Sequence, residues 1–242
     1  MKRLLTALLF AAAVAALPAT AQKTVTFAHQ DMMNPWRWVQ QSQEIEKATG
    51  FKINWRKFGG GGDVIRAMAS GDVQLGEVGS TGIATAISQG MDVELFWILE
   101  DIAAAEALVA RNGSGVNSIG DLKGKKIGTP FVSTSHFQLL YAMQKAGLKA
   151  SDAQVLNMRP PEIAAAWGRG DIDATFIWDP VLSDVKKTGK VLMTSGDICN
   201  VGACTFDGLI VTRKFAKENP EFMVALVKAL AKADADYRSN PK

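Results

Sequence analysis

The stretch Pro160-Pro161-Glu162-Ile163-Ala164-Ala165-Ala166-Trp167-Gly168-Arg169-Gly170-Asp171-Ile172-Asp173-Ala174, running into Phe176-Ile177-Trp178, decides the fold class. Two prolines open a helix, because a first-turn residue has no hydrogen-bonded N–H to lose, and the glycines stop it. The apolar run that follows fits a buried strand with an aromatic at its carboxyl end. Ligands of open α/β sheets bind outside the carboxyl ends of strands, which makes Trp178 and Asp179 candidate ligand residues.

Outward from this unit the chain keeps alternating. Period-two and β-branched patterns predict strands over 24–30, 52–58, 74–78, 93–99, 107–110, 126–131, 154–158, 190–194 and 206–211. Helical spacing predicts helices over 35–48, 63–69, 80–89, 133–146, 180–188 and 220–236. Alternating strands and helices imply a parallel-rich sheet covered on both faces. The flexible Gly113-Ser114-Gly115 stretch divides the pattern, so the expected organisation is a first lobe over 22–112, a second over 113–212 and a return to the first over 213–242. The chain stops after Asn240-Pro241-Lys242, just past a helix, where a completed lobe is expected to continue.

The first residues set the compartment. Lys2 and Arg3 precede an apolar run from Leu4 to Leu17, and Ala19-Thr20-Ala21 offers a small-x-small cleavage site, so 1–21 reads as a secretory signal peptide. Its loss leaves 25 basic against 24 acidic residues, a net of +1, with no clustered basic face for nucleic acid. No later stretch is apolar enough to span a bilayer, so a soluble mature protein is expected. Cys199 and Cys204 are the only cysteines, and the two histidines, His29 and His136, lie far from them; a disulfide in an oxidising compartment fits better than a metal site.

No catalytic constellation stands out. Gly59–Gly62 is followed by Asp63 and not by Lys-Ser/Thr, so it reads as a strand-to-helix turn and not a phosphate loop. Two hydroxyl-rich helix starts, Ser80-Thr81 in the first lobe and Ser133-Thr134 in the second, read either as plain N-caps or as anion donors at positive helix ends. Carboxylates after or beside strands (Asp31, Glu77, Asp179, Asp207) supply the opposite chemistry, and one beside an aromatic suits an ammonium. A zwitterion matches both halves.

Several segments resemble the taurine-binding proteins of bacterial ABC importers: the opening stretch, Trp55-Arg56-Lys57-Phe58, Arg66-Ala67-Met68-Ala69-Ser70-Gly71-Asp72-Val73-Gln74, Gly79-Ser80 and Pro130-Phe131-Val132-Ser133-Thr134-Ser135-His136. The resemblance implies a type II periplasmic binding-protein fold, two α/β lobes joined by a two-crossing hinge. It implies Ser80 and Thr81 as anion donors facing Ser133 and Thr134, Gln30 and Trp178 as lining residues, and Asp207 as ammonium partner; Asp31 and Asp179 join the candidate set. Glu77, Asp179 and the Cys199–Cys204 segment depart from the family pattern. The function implied is periplasmic capture of taurine or a related small sulfonate by a monomer, without cofactor or metal, for delivery to an inner-membrane permease. Alternatives are a thiamin-pyrimidine or nitrate-type ligand on the same fold, or an exported enzyme on this scaffold.

Overall fold

The computed structural model describes residues 22–32 and 34–240; the expected signal segment lies outside them. The chain enters a first sheet as β1 (Thr24–His29), then α1 (Arg37–Ser42), α2 (Glu44–Thr49), β2 (Lys52–Lys57), α3 (Gly61–Ala69), β3 (Leu75–Gly79), α4 (Ser80–Ser88) and β4 (Val93–Asp101). It crosses into a second sheet as β5 (Glu106–Arg111), β6 (Lys126–Thr129), α5 (Thr134–Lys145), β7 (Gln154–Asn157), α6 (Pro160–Arg169), β8 (Ala174–Trp178), α7 (Val181–Lys186), β9 (Gly189–Thr194) and α8 (Ser195–Cys199). It returns through β10 (Phe206–Thr212), α9 (Arg213–Glu218) and α10 (Pro220–Ser239).

Strand order is β2-β1-β3-β10-β4 in one lobe and β7-β6-β8-β5-β9 in the other. This is the two-lobe, two-crossing architecture expected from the resemblance. The lobe boundaries need correction. Glu106–Arg111, placed by the sequence pattern in the first lobe, pairs with β8 and β9 of the second. Phe206–Thr212, placed in the second lobe, pairs with β3 and β4 of the first. Gly113-Ser114-Gly115 marks a surface turn after β5 and not the crossing. The crossings are 102–105 and 200–205, tied to each other where the Ile102 N–H donates to the Thr205 carbonyl at 3.3 Å.

In each sheet one strand, β10 or β5, runs against its neighbours while the others are mutually parallel. These are the two strands that arrive from the opposite lobe. A strand entering from the cleft side must run back into its sheet, so its first residues lie beside the last residues of the parallel strands.

The opening stretch folds as its residues dictate. Arg159 stays extended before Pro160, its N–H donates to the Glu162 carboxylate at 2.7 Å, and Gly170 ends α6 at φ 77°. Ile163, Ala166 and Trp167 pack with the buried β8 strand. One long helix expected over 35–48 is two, because Gln43 turns left-handed (φ 54°) between α1 and α2. First-lobe packing centres on Phe27 stacked between Trp36 and Trp55, at 5.4 and 5.0 Å.

Cys199 and Cys204 are bonded, closing a loop within the second crossing. Helix α5 also holds that segment: Gln138 donates to Ala203 O and Thr205 Oγ1 at 3.1 and 3.0 Å. Because the loop is short, the bond removes little chain entropy, and reduction is expected to cost only about 2 kcal/mol. Thiol labelling of unfolded, unreduced protein should find no free cysteine, and denaturant melts with and without reductant should differ by that amount.

Candidate functional site

The sheets meet edge-on at a cleft lined by Gln30, Met32, Gly61, Gly79 and Asp207 from one lobe and Glu106, Ser133, Thr134 and Trp178 from the other. Its free volume is about 10 Å³, room for a single water. The lobes touch at its floor. A Cβ on Gly79 would fall 2.7 Å from Thr134 Cγ2 and 3.2 Å from Asp207 Oδ1, so the cleft closes this far only with glycine there.

Three helices begin at the cleft: α3 at Gly61, α4 behind its N-cap Gly79, and α5 behind its N-cap Ser133. The first N–H groups of a helix lack intrahelical acceptors, and each start carries roughly half a positive charge. Converging helix starts suit an anion.

Opposite chemistry comes from the two arriving strands. Asp207 is only 4% exposed and makes no hydrogen bond through its carboxylate among the described residues. Glu106 is equally buried, accepting from Thr134 Oγ1 at 2.6 Å and Ser195 Oγ at 3.5 Å. No Lys, Arg or His among the described residues pairs with either. Burial therefore pushes the Glu106 carboxyl up to about 7 against the opposing effect of its hydroxyl donors. Asp207 is pushed well above its ordinary range, first by burial and then by Glu106, Glu77 and Glu100.

The expected site residues divide. Gln30, Ser133, Thr134, Trp178 and Asp207 meet in the cleft. Ser133 is an N-cap in full use, its Oγ accepting from the His136 N–H and donating to Pro130 O. Ser80 and Thr81 stand one step back: Ser80 Oγ accepts from the Phe206 N–H, and Thr81 Oγ1 is buried without a partner. Asp31 lies on the surface, paired with Lys57 at 3.1 Å. Asp179 holds the start of α7, accepting from Ser183 N and Oγ. Glu77 is not among the cleft-lining residues; its carboxylate accepts from Gln30 N at 2.6 Å and Trp36 Nε1 at 3.0 Å.

Glu106, Met32 and the glycines were missed. Glu106 lies just before the apolar 107–110 run, in an acid-rich segment with Glu100 and Asp101. Only the pairing of Glu106 with Trp178 across β5 and β8 singles it out. Among the described residues, no cluster of three or more His, Cys, Asp or Glu is arranged to hold a metal ion.

Fold and cleft define a two-lobe solute-binding protein. The chain belongs to the NMT1/THI5 like family, whose model matches residues 47–242. The taurine-binding periplasmic protein of Escherichia coli K12 is 39% identical over 217 residues, which is 90% of this chain and 67% of that one. The alkanesulfonate-binding protein SsuA of Xanthomonas axonopodis pv. citri, solved bound to MOPS, superposes with a TM-score of 0.80 at 24% identity, over 90% of this chain and 75% of that chain. The periplasmic aliphatic sulphonate binding protein SsuA of Escherichia coli gives 0.72 at 27%, with the same coverage. These relatives are binding proteins.

The buried carboxyl has a consequence for stability. In the unfolded chain Glu106 ionises near 4.5, whereas the folded state keeps its proton to about 7. A raised acid pKa means that the native state binds more protons, so stability falls as pH rises between those values. Glu106→Gln should therefore melt like wild type at pH ~4 and be more stable by roughly 3 kcal/mol at pH ~8. Thermal melts across pH check this; equal melting at both ends would remove Glu106 as a buried acid.

Proposed function

We propose that this protein is a periplasmic solute-binding protein that captures taurine, or a related small amino-sulfonate, between its lobes and presents it to an ABC importer. The observation that carries this reading is the pairing of Glu106 and Asp207, buried without a counter-cation, with three helix starts in one cleft. A zwitterion places its ammonium at the carboxylates, with the Trp178 ring alongside, and its sulfonate at the helix starts. A sulfonate without an amine would leave both carboxyls unanswered. The relatives' names support the same ligand class.

The function is reversible capture without covalent chemistry. Export through the 1–21 segment, cleavage after Ala21, a monomeric state and a membrane permease as partner complete the proposal. Closure of the lobes around the solute is the state such a permease would recognise.

Asp207→Asn keeps the shape and removes the charge, so taurine should bind about thirtyfold more weakly, a loss of ~2 kcal/mol, with the fold unchanged by circular dichroism. Calorimetry with taurine and with ethanesulfonate reads this directly. An unaltered dissociation constant in the variant, or equal affinity for the two ligands in wild type, sinks the ammonium assignment. Recovery of taurine as a new product would overturn a binding role.

An ammonium favours ionised carboxylates, so binding should expel a proton held near pH 7. Taurine affinity is expected to fall about tenfold from pH ~8 to pH ~6. Titrations in buffers of different ionisation enthalpy should show proton release at the lower pH, and a flat profile contradicts the pairing.

A further inference from the structure

The Gly59–Gly62 run does more than turn the chain from β2 into α3. It faces the other lobe along its whole length. A Cβ on Gly59 would meet the Arg159 side chain at 2.8 Å, and one on Gly60 would touch Pro130 Cβ at 3.6 Å. On Gly62 a Cβ would lie 3.2 Å from the Phe131 carbonyl oxygen and 3.3 Å from Val132 Cβ. The Val132 carbonyl oxygen also comes within 3.3 Å of a Cβ on Gly82, in the first turn of α4.

The opposing loop is itself shaped for this contact. Val132 adopts φ 60°, a left-handed conformation rare for a β-branched residue, and such outliers persist only where the surroundings enforce them. Beside the glycines, Asp63 of α3 accepts from Arg159 Nε at 3.0 Å across the lobe boundary. Glycines thus receive backbone from the opposite lobe, and an ion pair stands at the edge.

Gly62 separates closing from folding. It lies inside α3, where glycine is a poorer helix former than alanine. Its nearest neighbours are backbone and side chain of the second lobe, followed by the flexible Arg66 guanidinium at 3.7 Å. Nothing fixed in its own lobe excludes a methyl group. Gly61 and Gly82 differ, since each would meet Val78 of its own lobe.

We propose that the first turn of α3 is the docking face for the Phe131–Val132 loop, and that Gly62 is the positioning residue that decides whether the cleft can shut on its ligand. The affinity arm of the test rests on the taurine reading above; the distance arm does not.

Spin labels on exposed Ser70 and Lys149, introduced as cysteines while the native pair stays bonded, report the interlobe distance. Gly62→Ala should melt at or above the wild-type temperature, shift the ligand-free distances longer, and bind taurine about tenfold more weakly. Gly168→Ala is the control, an exposed glycine in α6 with nothing within 4 Å of a Cβ, and should leave distance and affinity unchanged. Val132→Gly in the Gly62→Ala background removes the Cβ contact, suits the left-handed backbone and should restore part of the closure. Distances in Gly62→Ala that superpose on wild type overturn the proposal. Melting below wild type also overturns it, because the glycine would then serve its own lobe. If wild type fails to bind taurine while the distances shift as expected, the ligand assignment falls and the docking face stands.

Discussion

Two strands change lobe, and each must run back into a sheet whose other strands point at the cleft. That constraint carries the first residue of β5, Glu106, and the second of β10, Asp207, to the place where the carboxyl ends of β8 and β3 arrive. It also sets the electrostatics. A buried carboxylate without a partner costs several kcal/mol, and two side by side cannot both ionise cheaply. The protein meets this cost by holding protons to higher pH and by aiming the Thr134 hydroxyl at Glu106. Two buried acids without a counter-cation are the observation on which the proposed ammonium site rests.

The opposite end of the cleft is built from backbone. Helices α3, α4 and α5 begin there because each follows a strand that ends at the lobe boundary, a recurrent feature of strand–helix units. Ser133 spends its hydroxyl on local hydrogen bonds and Ser80 on the Phe206 N–H of β10, which leaves N–H groups and helix dipoles to face an anion. In the proposed zwitterion site side chains thus answer the cation and main chain the anion. Thr134 joins the two halves, since it starts α5 and donates to Glu106.

The alternation of strands and helices was legible because each element is local: the prolines before α6, the apolar run of β8 and the spacing along α10 are read within a few residues. Lobe membership of β5 and β10 was not, because sheet order depends on pairings between residues such as Asp207 and Gly79, far apart in the chain. Asp207, Gln30, Ser133, Thr134 and Trp178, expected from the sequence partly through family resemblance, come together in the cleft. Asp31 and Asp179 lie outside the cleft lining for a physical reason: a carboxylate after a strand can equally pair with a surface lysine or cap the next helix, and these two do. Glu77 shows the converse, a buried acid whose partners are all loop donors of its own lobe. Glu106 was hidden among neighbouring acids until pairing placed it beside Trp178.

The glycines connect these points. Gly62 leaves unfilled a helical position that alanine would occupy more favourably in an isolated lobe. At Gly62 and Gly79 the missing methyl leaves space that the second lobe enters. A two-state protein whose ligand shifts closing by a few kcal/mol needs contacts that are good in the closed state and absent in the open one. Backbone against glycine meets that need, because it adds little apolar area that would hold the lobes together without ligand. On the proposed reading the acids complement this, since an ammonium between Glu106 and Asp207 would answer two buried carboxyls that no Lys, Arg or His of the described residues pairs with. In that proposal selectivity and closing are linked, since a solute carrying both charges answers the carboxylates and the helix starts together.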